Sequence, residues 1–150
     1  YPGSYTMEKG LIELVFMDGG KVVIEAPSEF VIENASKIYL LKGRLTALVE
    51  NGRKPFIVRT LNSNVIDLGT EFGVRANTDG TMEAHVFQGK VRMESYEQPK
   101  QAALVLEGGQ AAHADSAGIL TKKPADPLQF VRYEEFTIKK QASKGSAYCR

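Results

Sequence analysis

The fold is decided by the stretch Pro55-Phe56-Ile57-Val58-Arg59-Thr60 and by a second stretch, Val65-Ile66-Asp67-Leu68-Gly69-Thr70-Glu71-Phe72-Gly73-Val74. Successive side chains of a β-strand point to opposite faces, so Phe56, Val58 and Thr60 share one face of the first stretch. Phe72 and Val74 likewise share one face near the end of the second stretch. This alternation predicts two neighbouring strands, each with an apolar face directed into a core.

Gly69 interrupts the second stretch and predicts a kink between two strands. Glycine adopts backbone conformations that other residues resist, and the Thr70 hydroxyl is placed to hydrogen-bond the backbone across the kink. One interpretation is a ligand-binding loop built on Gly69, and the other is a bulge that redirects the strand. The bulge is favoured, and Gly69→Val is then expected to lower the stability of the fold.

The chain up to residue 120 shows the same pattern, with short runs of Val, Ile, Leu, Phe and Tyr separated by glycine-containing turns. The runs predict strands at Leu11–Phe16, Lys21–Glu25, Phe30–Glu33, Lys37–Leu41, Arg44–Val49, Phe56–Thr60, Val65–Leu68, Glu71–Ala76, Glu83–Gln88, Lys90–Glu94, Ala103–Glu107 and Gln110–Ala114. No convincing helical period appears before residue 120. We therefore predict an all-β fold, either a twisted sandwich or an irregular, solenoid-like stack of about 10–12 short strands.

The composition changes after residue 114. The segment Lys122–Pro127 is typical of a linker, and Asp126 and Pro127 predict the start of a short helix through Leu128–Arg132. We assign residues 8–132 to one β domain and residues 133–150 to a linker or tail. Because the sequence begins at Tyr1, we expect it to be a piece of a longer polypeptide whose signal or anchor lies outside it.

The composition excludes several classes of protein. Of the 150 residues, 43% are hydrophobic, which is enough for one sizeable core and too many for a disordered chain. The 19 Lys and Arg residues nearly balance the 18 Asp and Glu residues, which argues against a nucleic-acid binder or a basic membrane-surface protein. Cys149 is the only cysteine, so an internal disulfide and a cysteine-rich metal site are excluded.

Catalytic and metal-binding patterns are weak. Glu83 and His85 lie two positions apart on one face of a predicted strand, and His113 lies on another. No third ligand appears at the usual spacing, so we expect a solvated strand face there and no metal site. Asp67, Glu71 and Asp79 offer carboxylates near one another in the sequence. Nothing near them indicates the cleft that a catalytic acid–base pair needs, so we predict no catalytic residues, no cofactor and no enzyme activity.

The combined spacing of several motifs resembles the FecR family. The family's strand motif Pro-Phe-x-Val-x-Thr, its turn motif Leu-Gly-Thr-x-Phe-x-Val and its later glycine strand start match at Pro55, Phe56, Val58, Thr60, Leu68, Gly69, Thr70, Phe72, Val74 and Gly89. The resemblance covers about residues 10–115. It is strongest to the variant found in large multidomain proteins of planctomycete-type bacteria.

The resemblance implies a regulatory role outside the cytoplasm. FecR-like proteins are membrane-anchored anti-sigma factors whose periplasmic part senses the signalling domain of an outer-membrane TonB-dependent transporter, often during iron–siderophore uptake. Their cytoplasmic part, which this chain does not include, binds a sigma factor of the extracytoplasmic-function type. The resemblance therefore implies a non-catalytic periplasmic sensor domain that binds protein partners and no nucleic acid, within a parent protein anchored in the cytoplasmic membrane.

The sequence leaves the binding surface open. Strands Gly43–Glu50 and Gly89–Tyr96 are candidates for an exposed edge that a partner strand extends, and both are equally compatible with the interior of a sheet. A carbohydrate-binding or adhesion module is the alternative function, because β-sandwiches of this size stack sugars on exposed aromatic rings. Its candidate residues are Tyr39, Tyr96 and Tyr133, and their exposure on one plane would favour sugar binding.

Overall fold

The computed structural model describes residues 3–50, 54–67 and 69–134, and within these residues twelve strands form one sheet. The prediction of an all-β fold is confirmed. The strands are β1 (Gly3–Met7), β2 (Leu11–Val15), β3 (Gly20–Asn34), β4 (Lys37–Val49), β5 (Ile57–Arg59), β6 (Ser63–Asp67), β7 (Glu71–Ala76), β8 (Met82–Gln88), β9 (Lys90–Ser95), β10 (Leu104–Glu107), β11 (Gln110–Ala114) and β12 (Leu120–Pro124).

The sheet curls into a nearly closed, barrel-like shape. Its strands run in the order β10-β9-β6-β5-β4-β7-β8-β11-β12, with β3 paired to β4 and with β1 and β2 paired to β3. β10 packs against β8 and β11 across the closure. The turn after β10 fastens this contact, because Gly108 N donates to Gly89 O at 3.1 Å and Gly109 N donates to Val86 O at 2.9 Å.

β3 and β4 are each one long strand where the sequence predicts two. Pro27 in β3 and Gly43 in β4 normally break strands, but here they lie near each other at a bulge, where the register shifts between Glu25 and Glu29. Gly43 has a φ of +119°, and a Cβ at this position would lie 1.9 Å from Ser28 Oγ. The bulge therefore accommodates both residues and bends the strand pair without ending it.

The core fills the inside of the curled sheet. The largest fully buried side chains include Phe30, Phe56, Phe72, Ile24, Ile38, Leu40, Leu45, Met82, Met93 and Leu106. The faces predicted from alternation are confirmed, since Phe56, Val58, Phe72 and Val74 are all buried. Each such side chain contributes about 1.5–3 kcal/mol to folding, so these two stretches anchor the core.

The C-terminal part of the described chain differs from the prediction. Residues Leu120–Pro124 form β12 against β11, so the first part of the predicted linker is a strand. The predicted helix is a single 3-10 turn, Pro127–Gln129, with Asp126 at its N-cap accepting a hydrogen bond from Leu128 N. Of the predicted tail, only residues 133 and 134 are described. No helix in the described ranges is long and apolar enough to cross a membrane.

Candidate functional site

Residues 125–133 cross the outer face of the sheet, and we call this segment the strap. It begins over β8, where Asp126 N donates to His85 Nδ1 at 2.9 Å. It reaches β3, where Val131 N donates to Glu25 Oε2 at 3.0 Å. The strap therefore ties together strands that lie on both sides of β4 and β7.

Gln129 fastens the strap to the middle of this face. Its backbone oxygen accepts from Arg44 Nη1 at 2.8 Å, and its side-chain Oε1 accepts from Arg75 Nη1 at 3.2 Å. Arg44 also pairs with Glu25, with 3.4 Å between Nη2 and Oε1. Glu25, Arg44 and Arg75 occupy opposing positions on β3, β4 and β7, so one row of charged side chains supports the strap.

Phe130 is the apolar anchor of the strap and is 4% exposed. It packs directly on Gly73 of β7, where an added Cβ would lie 2.6 Å from Phe130 Cδ1. Its ring centroid lies 5.1 Å from that of His85 and 5.7 Å from that of Phe87. Gly73, near the end of the stretch Val65–Val74, thus leaves the space that the Phe130 ring of the strap occupies.

An ion pair holds the far end of the strap. Arg132 donates through Nε to Glu71 Oε2 at 2.9 Å and through Nη2 to Glu71 Oε1 at 3.0 Å, and Tyr133 N donates to Oε2 at 3.2 Å. Burial raises the pKa of the Glu71 carboxyl, but the hydrogen bonds from Arg132 and Tyr133 outweigh it and hold that pKa below its usual value. Burial is the main cause that raises the pKa of Tyr133, and the negative charges of Glu13 and Glu71 raise it further.

His85 lies beneath the strap, so the prediction of a solvated face at this strand is wrong. The imidazole is fully buried, its Nδ1 accepts from Asp126 N, and its Nε2 lies 2.7 Å from Glu83 Oε1. This pattern requires a neutral ring with its proton on Nε2. Burial lowers the pKa of His85, partly opposed by Glu83. The sequence carried no sign of this, because the cover comes from a segment some forty positions away along the chain.

The Glu83 carboxylate lies close to one lysine and two histidines. Lys123 Nζ lies 2.8 Å from its Oε1, and His113 Nδ1 lies 3.8 Å from its Oε2. Burial raises the pKa of Glu83, but hydrogen bonds from Lys123 and His85 outweigh it, so the pKa is lowered. Among the described residues, no group of three or more His, Cys, Asp and Glu side chains is arranged to hold a metal ion.

The three carboxylates singled out in the sequence do not meet in one cleft. The Asp67 carboxylate accepts from Gly69 N at 3.0 Å and from the Thr70 hydroxyl, so it stabilises the turn between β6 and β7. Glu71 holds the strap, and Asp79 accepts from Thr81 in a neighbouring turn. The prediction that the Thr70 hydroxyl hydrogen-bonds the backbone across the kink is wrong, because the hydroxyl donates to the Asp67 side chain. The backbone oxygen of Thr70 accepts from Val49 N of β4.

A second surface lies on the outer face, near the start of β4 and the ends of β5 and β9. The Arg59 guanidinium carbon lies 4.5 Å from the centroid of the Tyr39 ring and 5.6 Å from that of Tyr96. Arg59 Nη1 also donates to Glu33 Oε1 at 3.3 Å, and the Tyr96 hydroxyl donates to Asn64 Oδ1. We call Tyr39, Arg59 and Tyr96 the tyrosine–arginine platform.

The platform gathers two of the three tyrosines that the sequence singled out. Tyr96 is 42% exposed, and Arg59 lies over the ring of Tyr39. Tyr133, the last residue of the strap, packs instead beside Val131 and Val23. The three rings do not share an exposed plane, and the arginine occupies the tyrosine face that a sugar would need, so this geometry does not favour sugar stacking.

The strands predicted as candidate edges lie inside the sheet. β4 pairs with β3 on one side and with β5 and β7 on the other, and β9 pairs with both β6 and β10. The outermost strand β12 carries Lys122, Lys123 and Pro124, residues that oppose pairing with a further strand. Addition of a partner strand at the predicted edges is therefore excluded.

The motif positions of the sequence analysis lie in or next to β5 and β7, with Gly89 between β8 and β9. Phe56, Val58, Thr60, Thr70, Phe72 and Val74 are buried, and Pro55 is exposed. Leu68 lies outside the described residues. Gly69 and Gly89 have φ angles of +99° and +88°, and a Cβ on Gly89 would lie 2.3 Å from Gly69 O. The motif thus brings two glycine turns into contact, which is a packing role.

Comparison with known proteins finds one family model and solved structures that match this chain. The family model described as FecR protein matches residues 5–92, which is more than half of the chain. Two crystal structures, both described as a candidate anti-sigma factor from Parabacteroides distasonis ATCC 8503, have the same fold. They superpose with TM-scores of 0.69 and 0.68 at 21% and 22% identity. They match 84% and 83% of this chain, which spans 61% and 60% of theirs. No curated protein sequence matched the chain.

Proposed function

The chain belongs to the FecR family, and from this premise we propose that it is a non-enzymatic, periplasmic sensor domain of a membrane-anchored anti-sigma regulator. The fold that it shares with the Parabacteroides proteins supports this assignment, since those proteins are described as anti-sigma factors. The domain's task is then to bind a protein outside the cytoplasm and to pass that event to the rest of the regulator.

The proposed partner is the signalling domain of a TonB-dependent transporter, as in regulation of iron uptake. The output is relayed to an extracytoplasmic-function sigma factor through a segment that is not in this chain. The strap supports such a relay. The strap lies at the C-terminal side of the sheet strands in the chain and is hydrogen-bonded to β3, β4, β7 and β8. A movement of these strands on partner binding would therefore shift the strap.

The observation that carries the proposal is the tyrosine–arginine platform. Tyrosine and arginine are the residue types that most often dominate protein–protein binding energy, because they combine large contact area with hydrogen-bonding ends. Here Tyr39 and Tyr96 hold Arg59 in place, and the Arg59 side chain is 39% exposed. The guanidinium is thus oriented before a partner arrives, which reduces the entropy lost on binding.

Calorimetric titration with signalling domains of TonB-dependent transporters tests the proposal. We expect one of them to bind, and Arg59→Ala to weaken that binding by about 2 kcal/mol or more. Lys21→Ala is the matched control. Lys21 is an exposed cation at the start of β3, and no platform residue lies on that strand, so its removal leaves the platform intact. Absence of binding across a panel of signalling domains, or equal affinity of Arg59→Ala and the wild type, would contradict the proposal.

A further inference from the structure

A small pocket opens beside the strap, and its lining shares no residue with the tyrosine–arginine platform. Its volume is about 300 Å³, at the lower end of the range for small-molecule sites. It is lined by Pro27, Lys42, Gly43, Arg44, Arg75, Ala76, Asn77 and Thr78. The β3–β4 bulge therefore forms one wall, and the end of β7 with its following turn forms another.

Three cations line this pocket although the chain as a whole carries a net charge of only +1. Arg44 and Arg75 lie directly opposite each other on β4 and β7. Like charges at opposing positions of neighbouring strands destabilise a sheet, so this pair opposes folding unless an anion lies between or beside them. Lys42, two residues before Arg44 on the same strand, adds a third positive charge.

Carboxylates on neighbouring strands offset part of this charge, and Glu29 of β3 lies opposite Lys42. Glu25 pairs with Arg44, and no ion pair to Lys42 or Arg75 is formed within the described ranges. Glu83 occupies the position opposite Arg75 on β8, but its carboxylate is engaged by Lys123 and by His85. Three cations thus face Glu25 and Glu29, and the Glu83 carboxylate is paired with Lys123, so the pocket keeps a small net positive charge.

The two guanidinium groups are held in position. Gln129 of the strap accepts from one nitrogen of Arg44 and one of Arg75, and this leaves further N–H groups of the planar forks for another acceptor. Two oriented guanidinium forks and an ammonium group suit the paired oxygens of a carboxylate or a phosphate. We propose that this pocket binds a small ligand through such an oxyanion, with Lys42, Arg44 and Arg75 as its charged contacts.

Titration of the whole 150-residue chain with citrate and with inorganic phosphate, followed by calorimetry and by amide NMR shifts, tests the proposal. We expect at least one anion to bind and to move the amide signals of Gly43, Asn77 and Thr78. The tighter of the two ligands identifies whether the site prefers a carboxylate or a phosphate. Failure of both anions to shift these signals at millimolar concentration would overturn the proposal.

Charge-removing variants locate the site. Arg75→Gln and Lys42→Gln are each expected to weaken anion binding about tenfold, because each removes a charged hydrogen-bond donor. Lys122→Gln removes one positive charge from exposed β12 and is expected to bind as the wild type does. Equal weakening by all three variants would mean nonspecific charge attraction and would contradict the site. Because no protein partner is used, this outcome is independent of the proposed function.

Discussion

At the residue scale, two glycines of the family motif are required for different reasons. The position of a Cβ on Gly69 has no atom within 4 Å, so only the φ angle of +99° demands glycine there. At Gly89 the φ angle is +88°, and a Cβ would also collide with Gly69 O. A substitution at Gly69 therefore measures the free-energy cost of the backbone conformation without an added cost of packing.

Gly69→Val is expected to lower the free energy of unfolding by about 1–3 kcal/mol, because a β-branched residue resists a positive φ. Gly69→Asn is the matched control and should lose less, since asparagine tolerates the left-handed region. Urea denaturation of the three proteins measures the difference. Identical midpoints for Gly69→Val and the wild type would show that the turn is unstrained.

His85 is expected to make stability pH-dependent. Burial holds its pKa in the folded protein below the usual 6.5, so the unfolded chain takes up a proton first as the pH falls. The stabilisation is therefore complete above about pH 6.5 and is lost as the pH falls towards the folded pKa. Protonation also places a proton on Nδ1, which then no longer accepts from Asp126 N.

Denaturation midpoints measured between pH 7 and pH 5, the range around the usual histidine pKa, test this expectation. The wild type should lose stability across that range more steeply than His85→Gln, which keeps a hydrogen-bonding side chain but does not titrate. Carboxylates such as Glu83 and Glu71 have lowered pKa values and contribute mainly below their usual 4.5, so they leave this window largely free. Parallel curves for the two proteins would contradict the role of His85.

At the scale of elements, the strap is the segment whose docking depends on one side chain. Phe130→Ala is expected to destabilise the protein by about 3 kcal/mol and to speed amide exchange in residues 126–132, because the ring on Gly73 is lost. Leu128→Ala is the matched control, since Leu128 is 94% exposed and lies within the same segment. Equal exchange rates in the two variants would show that Phe130 does not hold the strap.

Local alternation predicted most strands, because a half-buried strand shows alternating apolar and polar residues over a few neighbouring positions. It failed where the structural role of a residue depends on contacts with a segment distant in the sequence. Pro27 and Gly43 each signal a break, yet together they form a bulge inside two continuous strands. Lys122–Pro124 has the composition of a linker, yet pairing with β11 makes it a strand. In both cases the decisive contact lies on another element.

At the scale of the whole molecule, the candidate binding features are assembled from separate parts of the chain. Tyr39, Arg59 and Tyr96 come from β4, β5 and the end of β9, and the sheet order brings them together. The sequence singled out the two tyrosines for sugar stacking but not the arginine between them. β4 pairs in parallel with β5, and this pairing places Tyr39 beside Arg59. Alternation along a single strand does not predict which strands pair with each other.

Protein recognition by the platform is tested most directly by NMR titration of the 16.5 kDa chain with signalling domains of TonB-dependent transporters. With a domain that binds, the largest amide shifts are expected at Tyr39, Arg59 and Tyr96 and their neighbours, and Arg59→Ala is expected to reduce them. Shifts confined to other faces of the barrel, or no shifts with any signalling domain, would contradict the platform as the recognition surface.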